Sequence, residues 1–314
     1  MPRIVRALPT ALAAAVGVGI CLLPPGVAAQ QPVFRAETDV VPVYVTVRDT
    51  EGRAVTTLTA DDFLIRVDGR ESPIATFSNE PQPFAAVLLV DFSASMSAHR
   101  RAVRDATAEF VARLLPGDRV RLGAFSNRIV LAPDVFTGER HALLDALRWQ
   151  VSHVDAGGAS PVWLAARQSL DALESQPLRR VLVMLSDGHD APGRGQGGVS
   201  DTAVVRLARH ANVLVYALGF VHRRAALSAY DRPVVHGPNP RLEALADHSG
   251  GRFFEIDRSP DFTRLFTDII DELHSQYLIG VPVEVRDGRR HRLEVRLRQR
   301  GLRVRAPESF VARR

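Results

Sequence analysis

The chain predicts an α/β fold: a doubly wound, mostly parallel sheet with one antiparallel edge strand, plus a small β unit built from the N- and C-terminal segments. Three observations carry this reading. From Phe84 to about Gln276, short apolar runs alternate with stretches of helical periodicity, the pattern of buried parallel strands separated by crossover helices. Asn127 offers a hairpin turn between Val120–Phe125 and Ile129-Val130-Leu131, which returns one strand antiparallel at an edge. Before Phe84 and after Tyr277, hydrophobicity alternates with a period of two instead, as in half-buried strands.

With 314 residues, nearly half of them hydrophobic, the chain can bury a sizeable core in one large or two ordinary domains. It contains no lysine. Its net charge of +5 and high pI come from arginine, which is not deprotonated in proteins, so neither needs a special partner.

Residues 1–29 predict an export signal. Arg3 and Arg6 supply the positive start, an Ala/Val/Gly/Leu run to Leu23 the apolar core, and Val27-Ala28-Ala29 the small-residue cleavage site. Pro9, Thr10 and Pro24-Pro25 leave that run shorter than the ~20 residues of a bilayer span, so no transmembrane segment is expected in the mature chain. Cys21 lies inside the signal, with bulky Ile20 and Leu22-Leu23 around it arguing against a lipid anchor. It is the only cysteine, so a catalytic thiol, a disulfide framework and a cysteine-based zinc site are all excluded from the mature protein.

Residues 30–83 read as an N-terminal β segment. Val41, Val43, Val45 and Val47 alternate with Pro42, Tyr44, Thr46 and Arg48. Thr59 caps a short helical turn, and Phe63–Val67 enters a hairpin at Asp68-Gly69. Pro81 and Pro83 mark the boundary. Residues 84–275 read as the α/β domain, with helices over Ala98–Leu115, Glu139–Val151, Pro161–Leu173, Asp201–His210, Leu242–His248 and Asp261–His274. Its strands are Ala86–Val90, Val120–Phe125, Ile129–Leu131, Val181–Leu185, Val213–Leu218 and Gly250–Glu255. Residues 276–314 return to β character. Leu293, Val295 and Leu297, then Leu302 and Val304, alternate with arginines, which reads as a hairpin with one apolar and one arginine-rich face. Neither terminal segment has enough strands for its own core, so the two are expected to pack together.

The central apolar strand ends in Asp91-Phe92-Ser93-Ala94-Ser95. In open parallel sheets, ligands sit outside the carboxyl ends of strands where the strand order reverses. A D-x-S-x-S turn placed there aims three oxygens at one spot, which is what a hard divalent cation requires. An isolated example would read as helix capping alone. Two further pieces stand beside other elements: Gly157-Gly158-Ala159-Ser160-Pro161-Val162-Trp163, and Val181–Ser186 followed by Asp187-Gly188.

Together these pieces resemble the metal-ion-dependent adhesion site (MIDAS) of von Willebrand factor A (VWA) domains, which have a Rossmann-like sheet. The resemblance implies Ser93, Ser95 and Ser160 as hydroxyl ligands and Asp91 and Asp187 as acids holding Mg2+ (or Mn2+/Ca2+). Ser160 stands where the family has threonine; it keeps the hydroxyl and lacks the methyl that stiffens the rotamer. The order of parts across the mature chain also resembles an exported bacterial VWFA-related family. The carrying residues are Val45-Thr46-Val47-Arg48-Asp49, Gly52-Arg53-Ala54-Val55, Leu58–Phe63, Val67-Asp68-Gly69, Ile74–Phe77 and Gln276–Gly280.

By that resemblance the site is a binding device, not an enzyme: a shell rich in neutral hydroxyls leaves positive charge that attracts a carboxylate of a protein partner. The rivals are a metal-dependent hydrolase, with activated water or Ser93 as nucleophile, and a scaffold with a vestigial site. Hydrolysis needs a base within reach of the attacking oxygen, and no histidine falls in these motifs. His189 and Asp190 read as solvated loop residues and His99 as a surface residue. The long connection Val221–Pro240 follows the carboxyl end of a strand, where it reads either as a rim of the metal face or as a plain insertion. The sheet carries no dinucleotide or phosphate-loop fingerprint. The arginine-rich terminal face lacks the aromatic interleaving that stacks bases, so no nucleic acid is expected. The sequence leaves the oligomeric state open.

Overall fold

The structure, a computed structural model, describes residues 39–155, 159–193, 198–220, 222–224, 234–236, 239–256, 260–283 and 287–312, all within one unit spanning Thr38–Arg314. The expected signal at residues 1–29 with Cys21, the glycines at 157 and 158, and most of the 221–240 connection lie outside the described residues.

The valine alternation forms β1 (Asp39–Arg48). After a 3-10 turn at Ala60–Asp62, where the Thr59 N–H donates to Asp62 Oδ2 at 2.8 Å, come β2 (Phe63–Val67) and β3 (Arg70–Ser72). Asp68 and Gly69 join them with φ of 50° and 83°, the positive pair a two-residue hairpin turn demands. Next are β4 (Thr76–Ser78), β5 (Phe84–Asp91), α1 (Arg100–Ala112), β6 (Arg119–Phe125) and β7 (Ile129–Thr137). Then follow α2 (Arg140–Ala146), α3 (Val162–Glu174), β8 (Arg179–Ser186), α4 (Asp201–His210) and β9 (Val213–Phe220). A short antiparallel pair, β10 (His222–Arg224) and β11 (Val234–His236), precedes α5 (Pro240–Ser249), β12 (Arg252–Ile256) and α6 (Phe262–His274). The chain closes with β13 (Tyr277–Val283), β14 (Arg290–Leu297), β15 (Arg303–Arg305) and β16 (Ser309–Val311).

The central sheet runs β12-β9-β8-β5-β6-β7, parallel except for β7, which pairs antiparallel with β6 at the edge. Every residue of β5 is buried. Its alternate side chains feed two cores: Phe84, Ala86, Leu88 and Val90 pack with α1 and α6, while Ala85, Val87 and Leu89 pack with α3 and α5. That is why the run shows no polar alternation. The strand order reverses beside β5, since β6 follows on one side and β8 lies on the other.

Two antiparallel sheets, β15-β1-β13-β4 and β16-β14-β2-β3, enclose a third core that includes Val43, Val45, Ile65, Tyr277, Ile279 and Phe310. β1 and β13 pair along seven positions, from Asp39 opposite Val283 to Val45 opposite Tyr277.

Four expectations need correction. The helix predicted from Ala98 to Leu115 is a 3-10 segment at Ala94–His99 followed by α1, ending at Ala112. The tighter winding buries Met96, and Pro116 disfavours helical backbone at Leu115. The helix predicted over Glu139–Val151 stops at Ala146 and continues as a π turn over Leu147–Val151, which buries Leu147 and Val151 and leaves Trp149 65% exposed. The predicted terminal hairpin does not form: β14 pairs with β2 and β15 with β1, in different sheets. Both strands turn their apolar side to the same core, so alternation alone reads the same in either arrangement. His99 is half-buried, its ring stacked on Phe220 at 5.2 Å and edge-on to Phe262 at 5.6 Å.

On β14, the His291 ring bridges two acids, with Nδ1 2.8 Å from Asp68 Oδ2 and Nε2 3.3 Å from Asp287 Oδ1. The Asp68 hydrogen bond, outweighing partial burial, raises the His291 pKa. A raised histidine stabilises the fold fully below its unfolded pKa and loses that contribution as pH rises through the folded value. Urea midpoints of wild type minus His291→Gln should therefore be largest near pH 6 and shrink from about pH 6.5 upward; a difference that is flat in pH would contradict the bridge.

Candidate metal centre

A carboxylate closes β5, and three separate donors meet it. Asp91 is fully buried. Its Oδ1 accepts the Ser93 N–H at 2.8 Å, the turn that aspartate makes with its own backbone two residues on. Its Oδ2 accepts the Ser160 hydroxyl at 3.1 Å and the Ser186 hydroxyl at 2.8 Å. Ser93 Oγ and Ser95 Oγ lie 3.0 Å apart, and Ser95 donates to Asp187 Oδ2 at 2.6 Å. Asp91, Ser93, Ser95, Ser160 and Asp187 thus form one connected set at the carboxyl ends of β5 and β8, where the strand order reverses. Ser95 is the exposed member; the other four are buried.

The backbone fixes each contributor. Phe92 N–H donates to Phe125 O at 2.8 Å, which pins the turn after β5 to the end of β6. Ser160 and Ala191 exchange two backbone hydrogen bonds of 2.8 Å, so the loop before α3 is tied to the loop after β8. His189 N–H donates to Asp187 Oδ1 at 2.9 Å. The His189 side chain is exposed, and Asp190 Oδ1 accepts the Trp163 N–H at 3.4 Å, in the first turn of α3. Neither side chain joins the cluster: His189 reaches it only through its backbone N–H.

Sequence reasoning missed two residues. Ser186 donates to Asp91 while its own oxygen accepts the Gly188 N–H at 2.9 Å. Its signal was available: a hydroxyl at the end of a run buried on both faces must find a partner. Asn239 caps α5, accepting the Arg241 N–H at 2.9 Å, and its amide donates to Gly188 O at 2.7 Å. Nothing local in the sequence joins Asn239 to Gly188.

Burial raises the Asp91 pKa, and the charge of Asp187 adds to this; hydrogen bonds from Ser93 and Ser186 oppose it. Among the described residues no arginine or histidine forms an ion pair with Asp91. Two carboxylates and three hydroxyls are hard oxygen donors, the set that suits Mg2+, Mn2+ or Ca2+. Among the described residues no group of three or more His, Cys, Asp or Glu side chains could hold a metal, so a histidine- or cysteine-rich zinc centre does not match. The donor chemistry fits a hard divalent cation.

Gly188 lets the loop after β8 turn back on α5. Its φ is +73°, and a Cβ there would stand 2.5 Å from Asn239 Cβ. Gly188→Ala should lower stability by about 1–3 kcal/mol, whereas Gly198→Ala, where nothing lies within 4 Å, should be nearly neutral. Denaturant midpoints of the two variants check the contrast.

Several solved structures are similar in fold. One is an aerotolerance-related membrane protein of Bacteroides fragilis carrying multiple mutations to serine, 14% identical, covering 60% of this chain and 98% of that one, with TM-score 0.46. The BatB protein of Bacteroides thetaiotaomicron is 16% identical over 60% of this chain and 98% of its own, with TM-score 0.45. The pilus adhesin SpaC of Lactobacillus rhamnosus GG is 15% identical over 69% of this chain and 35% of its own, with TM-score 0.48. No curated protein matches the chain in sequence. Residues 86–189, which span β5 to the loop after β8 and so hold all five clustered side chains, match the model of the von Willebrand factor type A domain.

Proposed function

We propose that this is an exported VWA-domain protein that binds a divalent cation through Asp91, Ser93, Ser95, Ser160 and Asp187 and uses it to hold an acidic group of a protein partner, as an adhesion or protein-interaction module. The observation that carries the reading is the oxygen cluster itself, gathered around a fully buried carboxylate that no basic side chain neutralises among the described residues. A cation supplies the missing positive charge and, when bound, a Lewis-acid position open to a carboxylate. The residues of this chain orient the oxygens. Asp91 takes donors from Ser93, Ser160 and Ser186, and Ser95 bridges towards Asp187. Binding is favoured over hydrolysis because the Ser93 and Ser95 hydroxyls face each other and Asp187, with no histidine base beside them among the described residues. Export rests on the signal-like residues 1–29. No helix among the described residues is long and apolar enough to cross a membrane.

Thermal melts with saturating Mg2+, Mn2+ or Ca2+ and with chelator test the cation. A ligand at about 100 times its dissociation constant stabilises by about 2.7 kcal/mol. Wild type should gain a clear upward shift, and Ser95→Ala, whose exposed hydroxyl the fold does not need, should lose most of it. Superimposable curves with and without metal would remove the cation from the account. A metal-dependent pull-down from envelope material, abolished by chelator and by Asp187→Ala, is the expected sign of the acidic partner.

A further inference from the structure

A second charged site lies at the other end of the sheet, where β12 begins. Glu272, on α6, has a side chain only 1% exposed, and its Oε2 faces three guanidinium groups: Arg48 at 2.7 Å, Arg305 at 3.3 Å and Arg252 at 3.7 Å. Its Oε1 accepts the Tyr216 hydroxyl at 3.0 Å and the Thr46 hydroxyl at 3.4 Å. One carboxylate therefore answers three cations.

A fourth cation joins them. Arg303 stands directly opposite Arg48 in the antiparallel β1–β15 pair, and Arg305 opposite Thr46. Opposed residues of an antiparallel pair share a face, and like charges so placed repel. The Arg303 side chain has no hydrogen bond or ion pair among the described residues. Asp49 does not compensate, because its carboxylate is committed to Arg53 Nε at 2.8 Å and to the N–H groups of Glu51 and Arg53. Arg48 Nε is buried without a hydrogen-bond partner. Arg252, pressed against the Phe254 ring at 4.3 Å, has its pKa lowered by burial and further by the charges of Arg305 and Arg48, against the pull of Glu272.

These four arginines line one cavity of about 340 Å³, together with Thr46, Gly52, Val304 and Asp49, whose carboxylate is held by Arg53. We propose that this cavity binds a phosphate group, carried by inorganic phosphate or by a small phosphate monoester. A phosphate dianion brings three acceptor oxygens, and guanidinium forks match it bidentately. It supplies the negative charge that Arg303 lacks opposite Arg48, and the cavity exceeds what a bare phosphate fills. The arginines come from β1 and β15 on one side and β12 on the other, so an occupied site would brace the sandwich against the α/β layers. The site shares no residue with the metal centre and does not rest on the function proposed for it.

Calorimetric titration of the whole protein, with chelator present, tests the site using inorganic phosphate and glycerol phosphate in separate arms, and sodium acetate at equal ionic strength as control. Saturable heat with either phosphate and none with acetate is expected. Arg303→Ala, which breaks no side-chain hydrogen bond or ion pair of the described residues, should weaken phosphate binding by about tenfold or more, the size of one lost charge-assisted hydrogen bond. Arg101→Ala, on the exposed side of α1, should leave it within about twofold. Tighter binding of glycerol phosphate identifies the monoester, and tighter binding of inorganic phosphate the free ion. No saturable heat in either phosphate arm, equal heat with acetate, or equal losses in Arg303→Ala and Arg101→Ala would overturn the proposal.

Discussion

A carboxylate withdrawn from water at the end of the central strand governs the geometry around it. An ionised acid in the interior costs several kcal/mol unless it is paired and hydrogen-bonded. The protein has forty arginines and no lysine, yet among the described residues none of them pairs with Asp91. It sends a backbone N–H from the turn after β5, a hydroxyl from the loop before α3 and a hydroxyl from the end of β8. Three stretches far apart in the chain are thereby held in one register, and the Ser160–Ala191 backbone pair and Gly188 maintain it from behind.

The second constraint is the polar seam between the α/β layers and the sandwich. Arg179, 5% exposed at the start of β8, donates to Gln276 Oε1 at 2.6 Å, Leu273 O at 2.8 Å and Gln82 O at 3.1 Å. Its guanidinium also lies 4.7 Å from the Tyr44 ring centroid. One side chain therefore ties β1, the approach to β5 and the end of α6 together. Thr46 is 3% exposed for the same reason: the side of β1 that looks solvent-facing in the alternation is covered by the α/β layers.

Much of this was legible in the sequence because the signals are local. An apolar run with no polar alternation is a strand buried twice over, as β5 is, and Asp68-Gly69 demands the backbone angles it adopts. The convergence of Asp91, Ser93, Ser95, Ser160 and Asp187 was anticipated by order of motifs, through likeness to VWA domains, not by any distance visible in the chain. What stayed hidden depends on partners chosen in space. Leu293–Leu297 and Leu302–Val304 show the same alternation whether they pair with each other or with β2 and β1. The stacking of His99 on Phe220 needs two elements that only the folded sheet brings close. Nothing local in the sequence marks Glu272, and only its neighbours in space make it the centre of an arginine cluster.

The pairing of β1 with β13 has a consequence for how the chain is made. Val45 leaves the ribosome long before Tyr277, its ladder partner, exists. Until then a strand of alternating valines has neither neighbour in its sheet, since β15 is later still. Such an open edge invites pairing with other chains. The nascent protein must keep β1 out of such partnerships until β13 has been made, so the sheet that holds β1 closes late.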